Sequence, residues 1–202
     1  MRTHFVLPAA AFLIAALSLS AQPPAASAPA KAPAPRVAST GGNSPHETTS
    51  QTFDGRRDTR VIVVYGRPYS KSPQTGEIRK IWGTLVPYGK VWRMGSDEAT
   101  LFVTQQKIEL GGVALDAGAY TLDMQPEADG AAKLIVGKRL GQWGIPYDGS
   151  KEVARIDMKR SQAETPADQF TITLVRNPAG GGTLNATWEN TTYSVAFTFP
   201  KA

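Results

Sequence analysis

Residues Thr59 to Tyr65 read TRVIVVY, and this stretch decides the fold class. It is apolar at five successive positions, from Val61 to Tyr65. A short, uninterrupted apolar run rich in β-branched residues is typical of a β-strand with both faces covered. We therefore predict a central strand here, placed between two packed layers.

Downstream of this run, apolar and polar residues alternate, as they do in half-buried strands with one face toward solvent. Leu101 and Val103 share one side of such a stretch, while Thr100 and Thr104 take the other. Lys151 to Arg160 also alternates and is predicted as a strand rather than a helix. The remaining alternating sets are Tyr120, Leu122 and Met124; Phe170, Ile172 and Leu174; Leu184, Ala186 and Trp188; and Tyr193, Val195, Phe197 and Phe199.

Turn signals separate these stretches at short intervals. Hairpins are predicted at Gly111-Gly112, Asp129-Gly130, Asp148-Gly149 and Asn177 to Gly182, because Gly and Asn accept the backbone angles of tight turns. Nine or ten short strands without helices predict an all-β fold. An antiparallel β-sandwich or a jelly roll would protect its strand edges.

The N-terminus carries an export signal followed by a linker. Arg2 precedes the apolar run Phe5 to Leu19, and small residues follow, so residues 1–21 are predicted to be a signal peptide. The run is shorter than the roughly 20 residues that span a bilayer, and no transmembrane segment is expected after cleavage. Residues 22–48, rich in Ala and Pro, are predicted to be a disordered tether, and residues 49–202 a single β-sandwich domain.

Composition limits the location and the partners of the domain. The chain has no Cys, which excludes disulfides; together with the export signal, this favours a periplasmic or extracellular location in a bacterium over a eukaryotic extracellular scaffold. It has 22 Lys and Arg against 17 Asp and Glu. The basic residues are scattered over the sequence, so a nucleic acid partner is not expected, whereas an envelope glycan or another anionic ligand is compatible. The oligomeric state is not encoded in any motif.

The position of the histidines excludes several kinds of site. The two His residues are His4, in the predicted signal, and His46, in the predicted tether. A folded domain without imidazole or thiol has no His or Cys metal ligands and no Ser-His-Asp or Cys-His pair. No phosphate-binding GxxxxGK[ST] loop is present either. We therefore expect no metal and no cofactor.

Carboxylates could still act as general acid and base. Asp97 and Glu98 are the candidates, but neighbouring residues on a strand point to opposite faces. A hydrolase centred on Glu98 would need a second carboxylate from Asp123, Glu152 or Asp157 to attack a glycosidic bond.

The stretch from Ile81 to Thr100 mixes aromatic and charged residues between Gly and Pro, which indicates an ordered surface. Trp82 and Trp143 precede a Gly and Trp92 lies between Gly89 and Gly95, all in loop-like contexts, whereas Trp188 alternates with core positions. Aromatic faces beside charges are common on sugar-binding surfaces, although each Trp could also close the open end of a sandwich. The predicted binding residues are Arg67, Tyr88, Lys90, Trp92, Arg93, Glu98 and Trp143.

Five blocks of sequence are distinctive: Tyr65-Gly66-Arg67-Pro68, LVPYGKVWR from Leu85 to Arg93, Asp97-Glu98-Ala99-Thr100, Ala117 to Leu122, and Gln142-Trp143-Gly144. On these blocks the chain resembles a bacterial envelope family, the domain of unknown function 2911, over most of Thr49 to Pro200. The resemblance implies an exported, largely β domain and no established activity. The chain differs by having Asp97 where relatives usually read Asn, and by an apparent insertion from Pro73 to Glu77 that could alter access to the site.

Three functions are compatible with these observations. A non-catalytic envelope binding module that presents the predicted binding residues on one rim is favoured over an enzyme. The alternatives are the carboxylate-dependent hydrolase centred on Glu98 and a structural or protein-interaction domain without a small-molecule site.

Overall fold

The computed structural model describes Met1 and residues 44–200. These residues form an all-β fold, in which the one helical turn within the described part is the 3-10 turn Gly149–Lys151. The predicted signal peptide and most of the predicted tether lie outside the described residues. The ten strands are β1 His46–Thr52, β2 Arg60–Gly66, β3 Thr100–Thr104, β4 Ile108–Leu110, β5 Val113–Leu115, β6 Gly118–Pro126, β7 Ala132–Gly137, β8 Glu152–Asp157, β9 Lys159–Arg176 and β10 Gly182–Thr198.

The strands make two antiparallel sheets, so the predicted all-β sandwich is confirmed. One sheet has six strands in the order β1-β2-β3-β6-β7-β8, and the other has four in the order β5-β4-β10-β9. Side chains from both sheets form one apolar core, with Val63, Phe102 and Leu122 from the larger sheet and Phe170 and Phe197 from the smaller. We call the face of the six-stranded sheet that points away from this core its outer face.

Strand β2 contains the stretch that decided the fold class, and it pairs with β1 on one side and β3 on the other. Val61, Val63 and Tyr65 are buried in the core. Ile62 and Val64 lie on the outer face and are half-buried. The predicted internal strand is confirmed, but one of its faces is only partly covered.

Strand β3 faces the opposite way from the prediction. Thr100, Phe102 and Thr104 are buried, and Leu101 and Val103 are half-buried on the outer face. Burial of the threonines is possible because their hydroxyls are hydrogen-bonded: Thr100 Oγ1 donates to the Met94 carbonyl and Thr104 Oγ1 to the Gln106 carbonyl, each at 2.8 Å. The large ring of Phe102 between them determines which face enters the core.

Strands β9 and β10 are much longer than the predicted short strands, with 18 and 17 residues. The pattern of buried residues along β10 changes phase between Trp188 and Thr191, because a bulge there shifts the register with β9. Glu189, at the bulge, has a positive φ of 50°. A bulge inserts extra residues into one strand. The apolar residues before the bulge and those after it can therefore both face the core, although their alternation is out of phase.

Three of the four predicted hairpin turns are found, and the fourth is different. Gly111-Gly112 joins β4 to β5, Asp129-Gly130 joins β6 to β7, and residues 177–181 join β9 to β10. Asp148 instead caps the 3-10 turn by accepting a hydrogen bond from Ser150 N. It ends a long loop, residues 138–148, between β7 and β8, which we call the β7–β8 loop.

The start of the domain also differs from the predicted boundary. Strand β1 begins at His46 and pairs with β2 from its first residue, His46 opposite Gly66. Residues 46–48 therefore belong to the sheet and not to a tether. The Ala- and Pro-rich composition that suggested the boundary ends before His46, and the following HETTSQT is a polar edge strand.

Candidate functional site

Two segments distant in sequence meet at the end of the six-stranded sheet. Glu98 and Trp143 form an isolated antiparallel bridge. Gly144 N donates to the Asp97 carbonyl at 3.0 Å, and Ala99 N donates to the Gln142 carbonyl at 3.1 Å. The β7–β8 loop is thereby fixed beside the residues that precede β3.

Glu98 lies beside an imidazole at this junction. His46 Nε2 is 2.6 Å from Glu98 Oε2, and the two side chains are 16% and 60% exposed. A hydrogen bond from its own backbone N–H lowers the pKa of Glu98, and the bond to His46 and the charge of Arg93 lower it further. The prediction of a folded domain without imidazole was wrong, because the strand that carries His46 was assigned to the tether.

Trp143 is an exposed aromatic side chain held over a cation. It is 52% exposed, and the Arg93 guanidinium carbon lies 5.9 Å from the centre of its ring, within the range of a cation–π contact. Gly144 allows this arrangement, since a Cβ at that position would lie 2.9 Å from Arg93 Cβ and overlap the rest of its side chain. We call His46, Arg93, Glu98 and Trp143 together the Trp143 surface.

The backbone next to this surface is strained. Met94 and Asp97 have positive φ angles of 48° and 65°, which L residues with side chains rarely adopt and which are frequent at functional sites. Of the six buried side-chain polar atoms without a hydrogen bond in the described residues, three belong to residues 93–97: Arg93 Nη1, Ser96 Oγ and Asp97 Oδ2. Such atoms are rare in folded proteins.

Arg67, a predicted binding residue, is buried and has a structural role. Its Nη1 lies 2.7 Å from Glu47 Oε2, with side-chain exposures of 8% and 17%. The geometry is that of an ion pair rather than an aligned hydrogen bond, since Glu47 Oε2 has no hydrogen-bond donor. Arg67 also donates to the Phe170 carbonyl and to Thr171 Oγ1, at 3.2 and 2.8 Å. It therefore joins β1 to β9 and is not part of an open rim.

Trp92, another predicted binding residue, packs against the core. Its ring stacks on Trp188 with a centroid distance of 5.7 Å and meets Phe170 edge-on at 4.8 Å. Its backbone forms two 2.7 Å hydrogen bonds with Met124 of β6. The chain around Trp92 therefore pairs with β6 just beyond the first residue of β3. Trp188 is buried as predicted and donates its Nε1 hydrogen to Ser70 Oγ.

Tyr88 and Lys90 are exposed, but they lie in a different place. The ring of Tyr88 covers Gly83, and Gly89 N donates to the Pro126 carbonyl at 2.8 Å, near the β6–β7 turn. No contact in the described residues connects them to Glu98 or Trp143. Residues Pro73 to Glu77, which were predicted to be an insertion, follow Ser70, and Ser70 contacts β9 and Trp188 rather than the Trp143 surface.

The carboxylates considered as partners of Glu98 do not pair with it. Asp157 contacts Lys133 Nζ at 2.6 Å, whereas Asp123 and Glu152 line a separate, small cleft on the outer face. Glu98 itself has the unforeseen partner His46. The Thr-rich stretch that follows His46, which has the β-branched composition of a strand, is the signal that could have revealed it.

The family comparison covers this whole region. A family model described as "Protein of unknown function (DUF2911)" matches residues 44–197. The chain belongs to this family. The match begins two residues before His46, so the DUF2911 region includes the strand that completes the Trp143 surface. No match was found among curated proteins or among solved structures.

Two further findings concern the described residues of the DUF2911 region. Within residues 44–200, no helix is long and apolar enough to cross a membrane. The same residues contain no group of three or more His, Cys, Asp or Glu side chains placed to hold a metal ion.

Proposed function

We propose that this protein is an exported binding domain of the bacterial envelope that recognises a carbohydrate through the Trp143 surface. The observation that carries the proposal is the half-exposed indole of Trp143, fixed by Arg93 next to the exposed, hydrogen-bonded carboxylate of Glu98. Four of the seven residues predicted from sequence are not part of this site: Arg67 and Trp92 are buried or core-packed, and Tyr88 and Lys90 lie elsewhere.

The chemistry of the surface suits a sugar. An indole face packs against the C–H groups of a pyranose ring, and a carboxylate accepts hydrogen bonds from its hydroxyls. Charge-assisted hydrogen bonds of this kind are stronger than neutral ones. The lowered pKa of Glu98 keeps its carboxylate ionised at neutral pH, which keeps it available as an acceptor.

The surface is also held in place before a ligand arrives. His46 orients the Glu98 carboxylate, and Arg93 supports the Trp143 ring from within the domain. The backbone bridge between residues 97–99 and 142–144 fixes the two segments relative to each other. Preorganisation of this kind lowers the entropy cost of binding.

The hydrolase alternative has less support at this position. Hydrolysis by two carboxylates needs one of them to remain protonated as the acid. The Glu98 pKa is lowered, and its nearest titratable partner is an imidazole. Binding without turnover is therefore the function that the geometry of Glu98 supports best.

The experiment is a titration of the full chain with soluble peptidoglycan fragments and with an acidic polysaccharide, followed by calorimetry. We expect Trp143→Ala to weaken binding at least tenfold while leaving the urea unfolding curve unchanged, because the ring is half exposed. Tyr88→Ala is the matched control, since Tyr88 is an exposed aromatic residue away from the surface. Equal affinity of Trp143→Ala and the unmodified protein would refute the proposal, as would equal losses in both variants.

A further inference from the structure

A groove beside the bulge of β10 is separate from the Trp143 surface. Its volume is about 540 Å³, within the roughly 300 to 1,000 Å³ of sites for small organic ligands. The β6–β7 turn, the start of β9 and the middle of β10 contribute its polar side chains, which are Asp129, Arg160, Ser161, Gln162, Asn190 and Thr191. We call it the β10 groove, and it shares no lining residue with the Trp143 surface.

The groove lies where β10 changes direction sharply. Thr187 Oγ1 is 2.9 Å from Thr192 Oγ1, although residues five apart in an extended strand are roughly 16 Å apart. The register with β9 shifts on both sides of Glu189, and residues 163–166 of β9 stand opposite Asn190 alone. The pairing of β9 with β10 is therefore interrupted beside the groove.

Thr191 provides a buried polar group that points to a ligand. It is only 8% exposed, and it lines the groove. Its hydroxyl makes no hydrogen bond to any residue that the structure describes, whereas the hydroxyls of the nearby Thr187 and Thr192 bond to each other. Buried hydroxyls nearly always have a partner. A ligand in the groove can supply the partner of the Thr191 hydroxyl.

Two opposite charges face the groove without neutralising each other. Asp129 Oδ1 accepts from Ala131 N at 2.9 Å, which fixes the carboxylate and leaves Oδ2 available. Arg160 lies against the same turn, since a Cβ at Gly130 would be 3.2 Å from Arg160 Cδ and 3.3 Å from its Nη1. Within residues 44–200, no ion pair joins Asp129 to Arg160. The groove thus offers a carboxylate acceptor and guanidinium donors, with no net charge.

The side-chain amides of Gln162 and Asn190 add further hydrogen-bonding groups. Both residues are exposed, and neither side chain has a hydrogen-bond partner in the described part of the chain. An amide can donate and accept, as can a hydroxyl such as that of Thr191. Because the lining contains no apolar side chain, a ligand must gain its affinity from hydrogen bonds.

We infer that the β10 groove binds an uncharged oligosaccharide. Neighbouring hydroxyls of a sugar ring can donate to Asp129 and accept from Arg160, and others can bond to Thr191 and the two amides. A peptide is a poorer fit, because its side chains would find no apolar contact in the groove. The inference does not depend on carbohydrate binding at the Trp143 surface, which offers an indole face and a carboxylate instead.

The first experiment is an amide NMR titration of the full chain with maltotriose and with cellotriose. We expect saturable shifts at Gly130, Gln162 and Thr191 with at least one of the two sugars. Hexaethylene glycol, which has ether acceptors but few donors, and triglycine, a peptide, are the comparison compounds and should bind at least tenfold more weakly. Absence of saturable shifts at these amides with both sugars, or equal binding of a comparison compound, would overturn the inference. Affinity should also be insensitive to salt, because no net charge is neutralised, and a large loss at high salt would contradict an uncharged ligand.

Two variants assign the binding to the groove. Thr191→Val keeps the shape of the side chain but removes the hydroxyl, and it should weaken binding roughly threefold to tenfold. Asp129→Asn keeps the acceptor for Ala131 N but removes the charge, and it should weaken binding by roughly tenfold or more. Thr198→Val is the matched control, since Thr198 is an exposed threonine at the end of the same strand, and it should bind normally. Unchanged affinity in both groove variants, or an equal loss in Thr198→Val, would contradict the site. Trp143→Ala should retain the affinity for these sugars, and a loss there would assign them to the Trp143 surface and refute the β10 groove.

Discussion

Replacement of Arg67 by Met tests whether this residue is structural, as its contacts indicate. The substitution keeps most of the side-chain volume but removes the charge that faces Glu47. It also removes the hydrogen bonds to the Phe170 carbonyl and Thr171 Oγ1. The predicted result is a large loss in the free energy of unfolding, with no direct effect on the Trp143 surface.

The magnitude follows from burial. The Arg67 and Glu47 side chains are 8% and 17% exposed, so removal of one partner leaves a poorly hydrated charge. Removing one member of a buried ion pair costs about 3 to 5 kcal/mol. Adding Glu47→Gln to Arg67→Met should recover about 1 to 3 kcal/mol of this loss, because residues in direct contact are coupled by amounts of that size.

The assay is urea unfolding of the full chain, followed by tryptophan fluorescence. Arg56→Met is the control, since Arg56 pairs with Asp58 at 2.8 Å but the two side chains are 44% and 50% exposed. An exposed pair of this kind contributes little to stability, because both charges stay hydrated and screened. If Arg67→Met cost no more than Arg56→Met, or if the double variant showed no coupling, the structural role of Arg67 would be wrong.

Two other changes test the outer face and the backbone near the site. The pKa of Asp123 rises on folding from 3.8 to about 6, so its contribution favours the folded state below about pH 4 and is lost as pH rises through 6. At about 1.36 kcal/mol per pH unit, Asp123→Asn should be up to about 3 kcal/mol more stable than the unmodified protein at pH 7.5. Urea unfolding should show no such gain at pH 4, and parallel pH profiles would contradict this. Gly66→Ala should cost more than about 2 kcal/mol, because a Cβ there would lie 2.5 Å from Ser96 Oγ and overlap the Ser96 carbonyl oxygen. Thermal melting against Gly149→Ala, where the φ angle is not positive and an added Cβ would lie no closer than 3.4 Å to another atom, checks the steric part of that cost.

Local patterns were sufficient to predict the fold class. Alternation identified the strands around Tyr120, Phe170 and Tyr193, and Gly-rich turns identified three hairpins. Alternation alone did not fix which face of β3 is buried, because the threonine hydroxyls bond to backbone carbonyls of residues outside the strand. The length of β10 was missed because a bulge divides it into two alternating sets.

The site was predicted less well, since it depends on long-range pairing. Trp92 and Trp143 both lie in loop-like sequence with Gly close by, so local sequence did not separate them. They differ in their long-range partners. The backbone of Trp92 pairs with Met124 of β6 and its ring stacks on Trp188, whereas Trp143 lies on the β7–β8 loop, which covers the outer face. Arg67 could not be distinguished from an exposed cation without its partner Glu47, whose strand was assigned to the tether.

The early start of β1 has a practical consequence for the limits of the domain. A shortened version beginning at residue 49 would lack the first three residues of β1, including the imidazole that orients Glu98 and the only carboxylate paired with Arg67 in the described part of the chain. The edge strand would be reduced to Thr49–Thr52. Trimming at the boundary predicted from the sequence would therefore damage both the fold and the Trp143 surface, and expression boundaries are better set before residue 44.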